Sequence, residues 1–360
     1  MASRRVTIND VARHLGIAKG TVSRALNGYA DVSPALKRRV MAAADELDYK
    51  PSSLARRLTN GRADTVGIVL IVGEPNLYDA FLSEFLDGAS RTLKARGRDL
   101  LVSTAPCADA AVSEYASLAQ LRKADGFLLT RTETDDPRVR FLKQKEIPFV
   151  AYGRVGGDND HPWLDVDGEA AMADAVARLA KLGHRRIGMV GAPDRLNFAR
   201  LRRQGFCRGL AAAGLGHEDL LVETAGAIDI EAGRIAAMKL LQKPAPPTAL
   251  ICMNDVFAFG AYAAARDAGL RIGSDLSVIS YDGLPTGDFL DPPLTTYDQS
   301  SVKSGVVVAD MLLDLIDGIG LELPGRLEKA TLRERGSHGP PTLSSEMLAK
   351  LITQTAAEND

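Results

Sequence analysis

The stretch IAKGTVSRALNG, residues 17–28, decides how the first part of this chain folds. Ile17, Val22, Ala25 and Leu26 recur at helical spacing and call for an apolar partner, whereas Lys19, Ser23 and Arg24 fall on the opposite face. The segment is too short to stand alone as a helix in water. Its partner is the preceding run, in which Thr7 and Asp10 have the spacing of a capping box and open a helix through Leu15. Gly16 breaks that helix, and the second is expected from about Ala18 to Asn27. Small Ala12, the turn glycine Gly16, and apolar Val11, Leu15, Ile17, Val22 and Ala25 fit two helices crossing at a tight turn, the helix-turn-helix. Ser33-Pro34 then signals the start of a third helix, with Leu36, Val40, Ala43, Ala44 and Leu47 as its apolar stripe.

Charge sets this head apart from the rest. Residues 1–62 hold twelve basic and five acidic side chains, a net charge of +7, while the remaining residues sum to −9. A positive head on a negative body points to a polyanion as the head's partner, although a solvated basic face has the same composition. With Val22, Ala25 and Leu26 inward, Lys19, Gly20, Ser23 and Arg24 face out. Gly20 would let backbone approach a groove closely, and the Arg24 fork matches guanine O6 and N7. The competing reading pairs Arg24 with a phosphate or with a carboxylate such as Asp48.

Residues 50–62 read as a linker containing a short helix, about 52–60, that folds only when docked. Arg56 and Arg57 would lie near phosphates. Leu58 would either wedge into a kinked minor groove or pack, with Leu54, on the head. Beyond it, strand-like runs alternate with amphipathic ones: TVGIVLIV (65–72), AFLSEFLDGASRTLKARG (80–97), DLLVST (99–104), ADGFLLT (124–130) and IPFVAY (147–152). The alternation restarts at RRIGMVG (185–191) and continues through TALICM (248–253), DVFAFGAYAAARDAGL (255–270) and DLSVISYD (275–282). Strands alternating with helices mean α/β architecture, here two parallel-sheet subdomains facing each other across a cleft. Residues 337–360 read as a frayed tail, with Leu343, Met347, Leu351 and Ile352 as the only stripe.

Several function classes find no support. The chain has no G-x-G-x-x-G, P-loop, G-x-S-x-G or H-E-x-x-H motif, so neither a cofactor nor an enzymatic activity is expected. Cys107, Cys207 and Cys252 have neither disulfide nor metal spacing, which fits a reducing cytoplasm. Charges stand where a signal peptide would be apolar, and no membrane span is expected.

The chain as a whole resembles the lactose-repressor (LacI/GalR) family of bacterial transcription regulators. The resemblance is carried by VTINDVARHLGIAKGTVSRALNG (6–28), YKPSSLARRL (49–58), ADGFLL (124–129), PFVAYGR (148–154), LGHRRIGMVG (182–191), RRQGF (202–206), NDVFAFGA (254–261), GLRIGSDLSVISYDG (269–283) and PPLTT (292–296), collinear from about residue 6 to 336. It implies an α/β protein with a helix-turn-helix head, residues 1–49, and a hinge helix at 50–62. A periplasmic-binding-protein-like core at 63–336 would comprise two doubly wound parallel-sheet subdomains. One of these would take about 63–162 plus 291–320, the other about 163–290 plus 321–336. Lys19, Gly20 and Arg24 take the base-reading positions, Thr21 and Ser23 position the helix on phosphates, and Leu58 takes the minor-groove leucine's place. Thr7, Asn27, Ser52, Leu54, Ala55 and Arg57 complete the DNA-binding set. Gly20 departs from relatives that carry a side chain there.

For the core, the resemblance assigns effector binding to Arg202, Asp282, Asn254 and Arg154, with Phe81 and Phe198 as walls and Arg131 beside a strand end. Trp163 would either stack on a sugar ring or pack in the core, and Arg202 with Asp282 would grip ligand or form an interdomain salt bridge. Gly153 falls where lactose-type members carry aspartate. The implied protein is a homodimeric repressor of a carbohydrate operon, released from a near-palindromic operator by a small sugar. Corepression by a nucleobase, and a cytosolic sugar-binding protein without DNA readout, are the alternatives.

Overall fold

The computed structural model describes residues 6–26, 29, 31–49, 62–72, 80–216, 221–321 and 324–359. The chain divides into a unit at Met1–Asp64 and a second at Thr65–Asp360. Asn27, the hinge expected at 50–62 save Arg62, and with it Ser52, Leu54, Ala55, Arg57 and Leu58, lie outside the described residues.

In the first unit, α1 (Ile8–Leu15), α2 (Lys19–Leu26) and α3 (Pro34–Glu46) enclose one small core of Val11, Ala12, Val22, Ala25, Val32, Val40 and Ala43. The Asp10 carboxylate accepts hydrogen bonds from the Thr7 amide (2.9 Å) and hydroxyl (2.7 Å), holding the first turn of α1. Gly16 ends α1 in the left-handed region, φ 65°, and the Ile17 amide donates back to Ala12 O. A side chain at 16 would strain this turn. Ser33 Oγ accepts from the Leu36 amide at 3.3 Å, with Pro34 opening α3.

The second unit holds two six-stranded sheets. The first has the order β11-β5-β4-β3-β1-β2, built from β1 (Thr65–Ile71), β2 (Asp99–Ala105), β3 (Gly126–Leu129), β4 (Phe149–Tyr152), β5 (Trp163–Val166) and β11 (Gly325–Glu328), all parallel. Helices α4 (Ala80–Ala95) and α11 (Ser301–Ile316) cover one face, and α5 (Ala108–Gln120) and α6 (Pro137–Gln144) the other. Ile68 faces the Phe85 and Leu312 side while its neighbour Val69 joins Tyr115 and Leu142. A strand buried on both faces has no polar alternation, which is why these runs are continuously apolar.

The second sheet has the order β12-β10-β9-β8-β6-β7, from β6 (Ile187–Gly191), β7 (Val222–Thr224), β8 (Ala249–Cys252), β9 (Ser277–Asp282), β10 (Thr295–Asp298) and an antiparallel edge, β12 (Thr331–Arg333). Helices α7 (Gly168–Lys181), α8 (Asn197–Ala212), α9 (Ile230–Leu241) and α10 (Asp255–Asp267) pack on it.

The chain therefore crosses between the lobes near 167, 299–300 and 329–330, which corrects the expected division. Residues 163–166 and 325–328 pair in the first sheet, and 295–298 in the second. These strands, at or next to a sheet edge, are four residues long, too short for an apolar run to mark their sheet.

The tail is also not frayed. Ser337 is fully buried, its hydroxyl donating to Val278 O and accepting from the Thr295 amide. The chain continues into α12 (Ser345–Asn359), which is anchored on the second lobe by fully buried Leu348 with Leu343, Leu351 and Ile352 alongside. Met347, expected in the stripe, points out and is 54% exposed.

Candidate functional site

The first unit presents Lys19, Gly20 and Arg24 on the outer face of α2, with Thr21 and Ser23 half-buried beside them and Thr7 exposed at the start of α1. A Cβ built on Gly20 meets nothing within 4 Å, so the backbone here is open to close approach. Arg24 forms an ion pair with Asp31 rather than Asp48, and both partners remain about half exposed. An exposed pair of this kind is worth at most about 1 kcal/mol, so the guanidinium is readily released to a stronger partner.

In the second unit, the strand ends of both sheets open onto a cleft. Six of the eight residues expected there line it: Phe81, Arg131, Phe198, Arg202, Asn254 and Asp282. Arg202 rises from α8 and is nearly buried. Its guanidinium lies 3.7 Å from the Tyr281 ring centroid and 4.8 Å from that of Phe198, donates to Met253 O, and sits 3.9 Å from Asp282 Oδ1. Stacking and a carbonyl bond hold the fork in one orientation, which a flexible lysine would not reproduce. Asp282 is thus no simple salt-bridge partner; its shorter bond, 2.7 Å, is from Gln299 Nε2. Asn254 caps α10 by accepting from the Phe257 amide, which places its amide group at the strand end.

Arg154 and Trp163 do not line the cleft. Arg154 donates to Asp165 Oδ2 at 2.8 Å and to Glu169 Oε2 at 3.2 Å, and lies over the Trp163 ring. Trp163 packs with the second apolar cluster of the first lobe and donates from Nε1 to Asn159 O. The indole is core, and the arginine holds Asp165, which does line the cleft, in place.

Sequence reading missed Thr132, Tyr152, Asp165 and Gln299 as lining residues. Each sits at or just beyond the C-terminal end of a strand, where ligands bind in open α/β sheets, and that rule was the available signal. Gln299, at a crossover, links the lobes: its Oε1 accepts from Tyr152 Oη at 2.9 Å while Nε2 reaches Asp282. Burial raises the Tyr152 phenol well above its ordinary pKa, so it acts as a donor. Gly153 has φ 105°, and a Cβ there would stand 2.8 Å from Thr132 Oγ1. A side chain at 153, aspartate included, would be strained by this backbone and would crowd the Thr132 hydroxyl.

The lobes also meet directly beside the cleft. Asn197, fully buried at the start of α8, donates its main-chain amide to Thr132 O at 3.0 Å and Nδ2 to Arg154 O at 2.7 Å. The Thr134 amide donates to Arg195 O, and the Arg195 side chain pairs with Glu133 at 3.2 Å. Behind this contact, buried Arg138 donates to both Asp136 and Arg131 O, supporting Arg131, which has a positive φ of 50°.

Comparison with known proteins shows the same division. Residues 7–52 match the bacterial regulatory proteins of the lacI family, and residues 64–336 match the periplasmic binding proteins and sugar binding domain of the LacI family. The HTH-type transcriptional regulator AglR of Rhizobium meliloti (strain 1021) is 37% identical over 340 residues, covering 93% of this chain and 95% of that protein. A complex of the transcriptional regulator CelR with cellobiose aligns with a TM-score of 0.71 and 28% identity, covering 92% of this chain and all of the other. The lac repressor dimer bound to operator and an anti-inducer aligns with a TM-score of 0.80 and 26% identity, covering 93% of this chain and all of that one.

Proposed function

Because this chain belongs to the LacI family of bacterial regulatory proteins, we propose that it is a repressor released from a near-palindromic operator when a small sugar enters the cleft. The family's members are DNA-binding transcription regulators, and this chain is a helix-turn-helix regulator among them. The observation that carries the sugar reading is the charge balance of the cleft. Asp165 is paired with Arg154, and Asp282 with Gln299 and Arg202. A wall whose two carboxylates are each already engaged, set with hydroxyl and amide groups, suits a neutral ligand whose hydroxyls both donate and accept. Phe81, stacked on Tyr152 with centroids 5.6 Å apart, and Phe198 offer the flat apolar surfaces that a sugar ring needs. A relative solved with cellobiose is consistent with this chemistry.

On the DNA side, Lys19, Gly20 and Arg24 read bases, Thr7, Thr21, Ser23 and Asn27 set the helix on phosphates, and Ser52, Leu54, Ala55, Arg57 and Leu58 form the hinge contact. Two copies act together. Phe289, 87% exposed and next in sequence to Leu290 of a mixed groove that Phe259, Tyr262, Pro292, Arg266 and Asp291 also line, supplies a surface for the second copy. The protein works in the cytoplasm, where its DNA lies, and turns over no substrate.

The test is fluorescence anisotropy of a labelled palindromic duplex from the protein's own promoter region, with and without a panel of sugars. Specific binding that one sugar weakens supports the proposal. Binding strengthened by a ligand reverses the switch, and equal binding to a scrambled duplex at physiological salt removes the base-reading role of Arg24.

A further inference from the structure

Asp282 reaches the cleft from a backbone conformation that side-chain-bearing residues rarely adopt, with φ 125°. Such a conformation persists only when its surroundings over-determine it. Here the constraint comes from behind the cleft. Asp255, fully buried at the first position of α10, accepts from the Leu284 amide through Oδ2 at 2.7 Å. Its Oδ1 accepts the Thr296 hydroxyl at 2.7 Å, and Thr296 Oγ1 in turn accepts from the Gly283 amide at 3.3 Å. Both amides after Asp282 are therefore held by one carboxylate–hydroxyl pair. Neither Asp255 nor Thr296 lines the cleft. Gln299 adds a third tie, its main-chain amide donating to Asp282 O at 3.3 Å.

We propose that Asp255 and Thr296 are positioning residues that keep the Asp282 carboxylate aimed into the cleft, and so set ligand affinity without touching ligand. The proposal rests on the reading of the cleft as the effector site. A carboxylate has no obvious reason to be buried at 255 on grounds of packing alone. Burial pushes the Asp255 carboxyl up to about 6, against the pull of its bonds from Thr296 and Leu284. This buried charge supplies two acceptor oxygens directed at the segment after Asp282, and a hydrophobic residue would leave the Leu284 amide and the Thr296 hydroxyl without partners.

The experiment uses the full chain and the tightest-binding member of a panel of neutral mono- and disaccharides, cellobiose included, measured by isothermal titration calorimetry. Thr296→Val, close in shape, removes the hydroxyl, and Asp255→Asn keeps the volume should the first variant fold poorly. Either is expected to weaken sugar binding by about ten-fold or more while sugar-free operator affinity stays unchanged. Asp282→Ala weakens it further, and adding Thr296→Val to Asp282→Ala costs nothing more, because the pair acts only through that carboxylate. Multiplicative losses, or unchanged affinity in Thr296→Val and Asp255→Asn, would overturn the proposal. Hydrogen exchange at the Gly283 and Leu284 amides separates the two readings. If no sugar binds the wild type, the effector reading fails; the positioning claim then stands or falls on whether those amides exchange faster in both variants.

Discussion

Asn197→Ala tests whether ligand affinity is set by contact between the lobes. The side chain of Asn197 spans the cleft edge from the second lobe, its Nδ2 donating to Arg154 O at 2.7 Å. Alanine preserves helix α8 and the main-chain bond from residue 197 to Thr132 O, so one interlobe bond is removed and its neighbour kept. Arg154 O retains a second partner, the Thr132 hydroxyl at 2.8 Å, so no carbonyl is stranded. Alanine also removes the bonds from the Arg200 guanidinium to Asn197 Oδ1 (3.1 and 2.9 Å), but these lie within α8 and are lost in either arrangement of the lobes. What is charged against the joined arrangement is one neutral hydrogen bond with its packing, about 1–2 kcal/mol. If ligand binds only that arrangement, its affinity falls by the same amount, roughly 5- to 30-fold. Titration calorimetry reads the affinity, and small-angle scattering of the unliganded protein reads the opening. Arg195→Ala is the control: its pair with Glu133 is solvent-exposed and worth about 1 kcal/mol at most, so its effect stays below about five-fold. Equal effects of the two variants, or none from Asn197→Ala, would refute the argument.

Other consequences are as direct. Arg138→Met leaves Asp136 buried without its cation; the loss is about 3–5 kcal/mol, seen as a lower denaturation midpoint. Leu348→Ala empties the anchor of α12 and costs about 2–5 kcal/mol of the helix's docking, so hydrogen exchange accelerates across 345–359 before the sheets are affected. His184 bonds Thr248 Oγ1 and Gly339 O at 2.8 Å each, and burial lowers its pKa below the ordinary value, against the pull of Gly339. A base whose folded pKa is depressed contributes stability that is present above its unfolded pKa and is lost as pH falls through the folded value. Thermal denaturation of His184→Gln should therefore lose part of the drop in Tm that the wild type shows below about pH 6.5. An identical pH dependence in both proteins would exclude His184 as its source.

Elements that bury both faces were legible because burial and composition coincide: β1, β6 and β8 are runs of apolar residues and little else. The head was legible for another reason, since crossing two short helices leaves few choices at Ala12, Gly16 and Val22. Legibility failed where stability comes from hydrogen bonds to main chain. The tail has few large apolar residues, but Ser337, Gly339 and Thr342 bond to Val278, Ser277 and Ser274, and no side-chain pattern reports that. The i, i+4 spacing of Leu343, Met347 and Leu351 points to Met347, whereas the helix turns its neighbour Leu348 inward. The four-residue strands β5 and β11 failed for want of length, and with them the position of the crossovers.

The cleft divides along the same line. Arg202, Asp282 and Asn254 were found because strand ends carry ligands, and the resemblance marks those three. Arg154 was misassigned because a sequence lists a charge without its partner: Asp165 and Glu169 are eleven and fifteen residues further on, and only the sheet order brings them round the guanidinium. The same pairing explains why Asp165, not Arg154, reaches the cleft. Gln299 connects the cleft to switching. One uncharged side chain at a crossover accepts from Tyr152 of the first lobe and donates to Asp282 of the second, so a ligand that engages Asp282 works on the bond that joins the lobes. Binding and lobe arrangement share a group, and a ligand can bias the arrangement only through such a shared, differential contact.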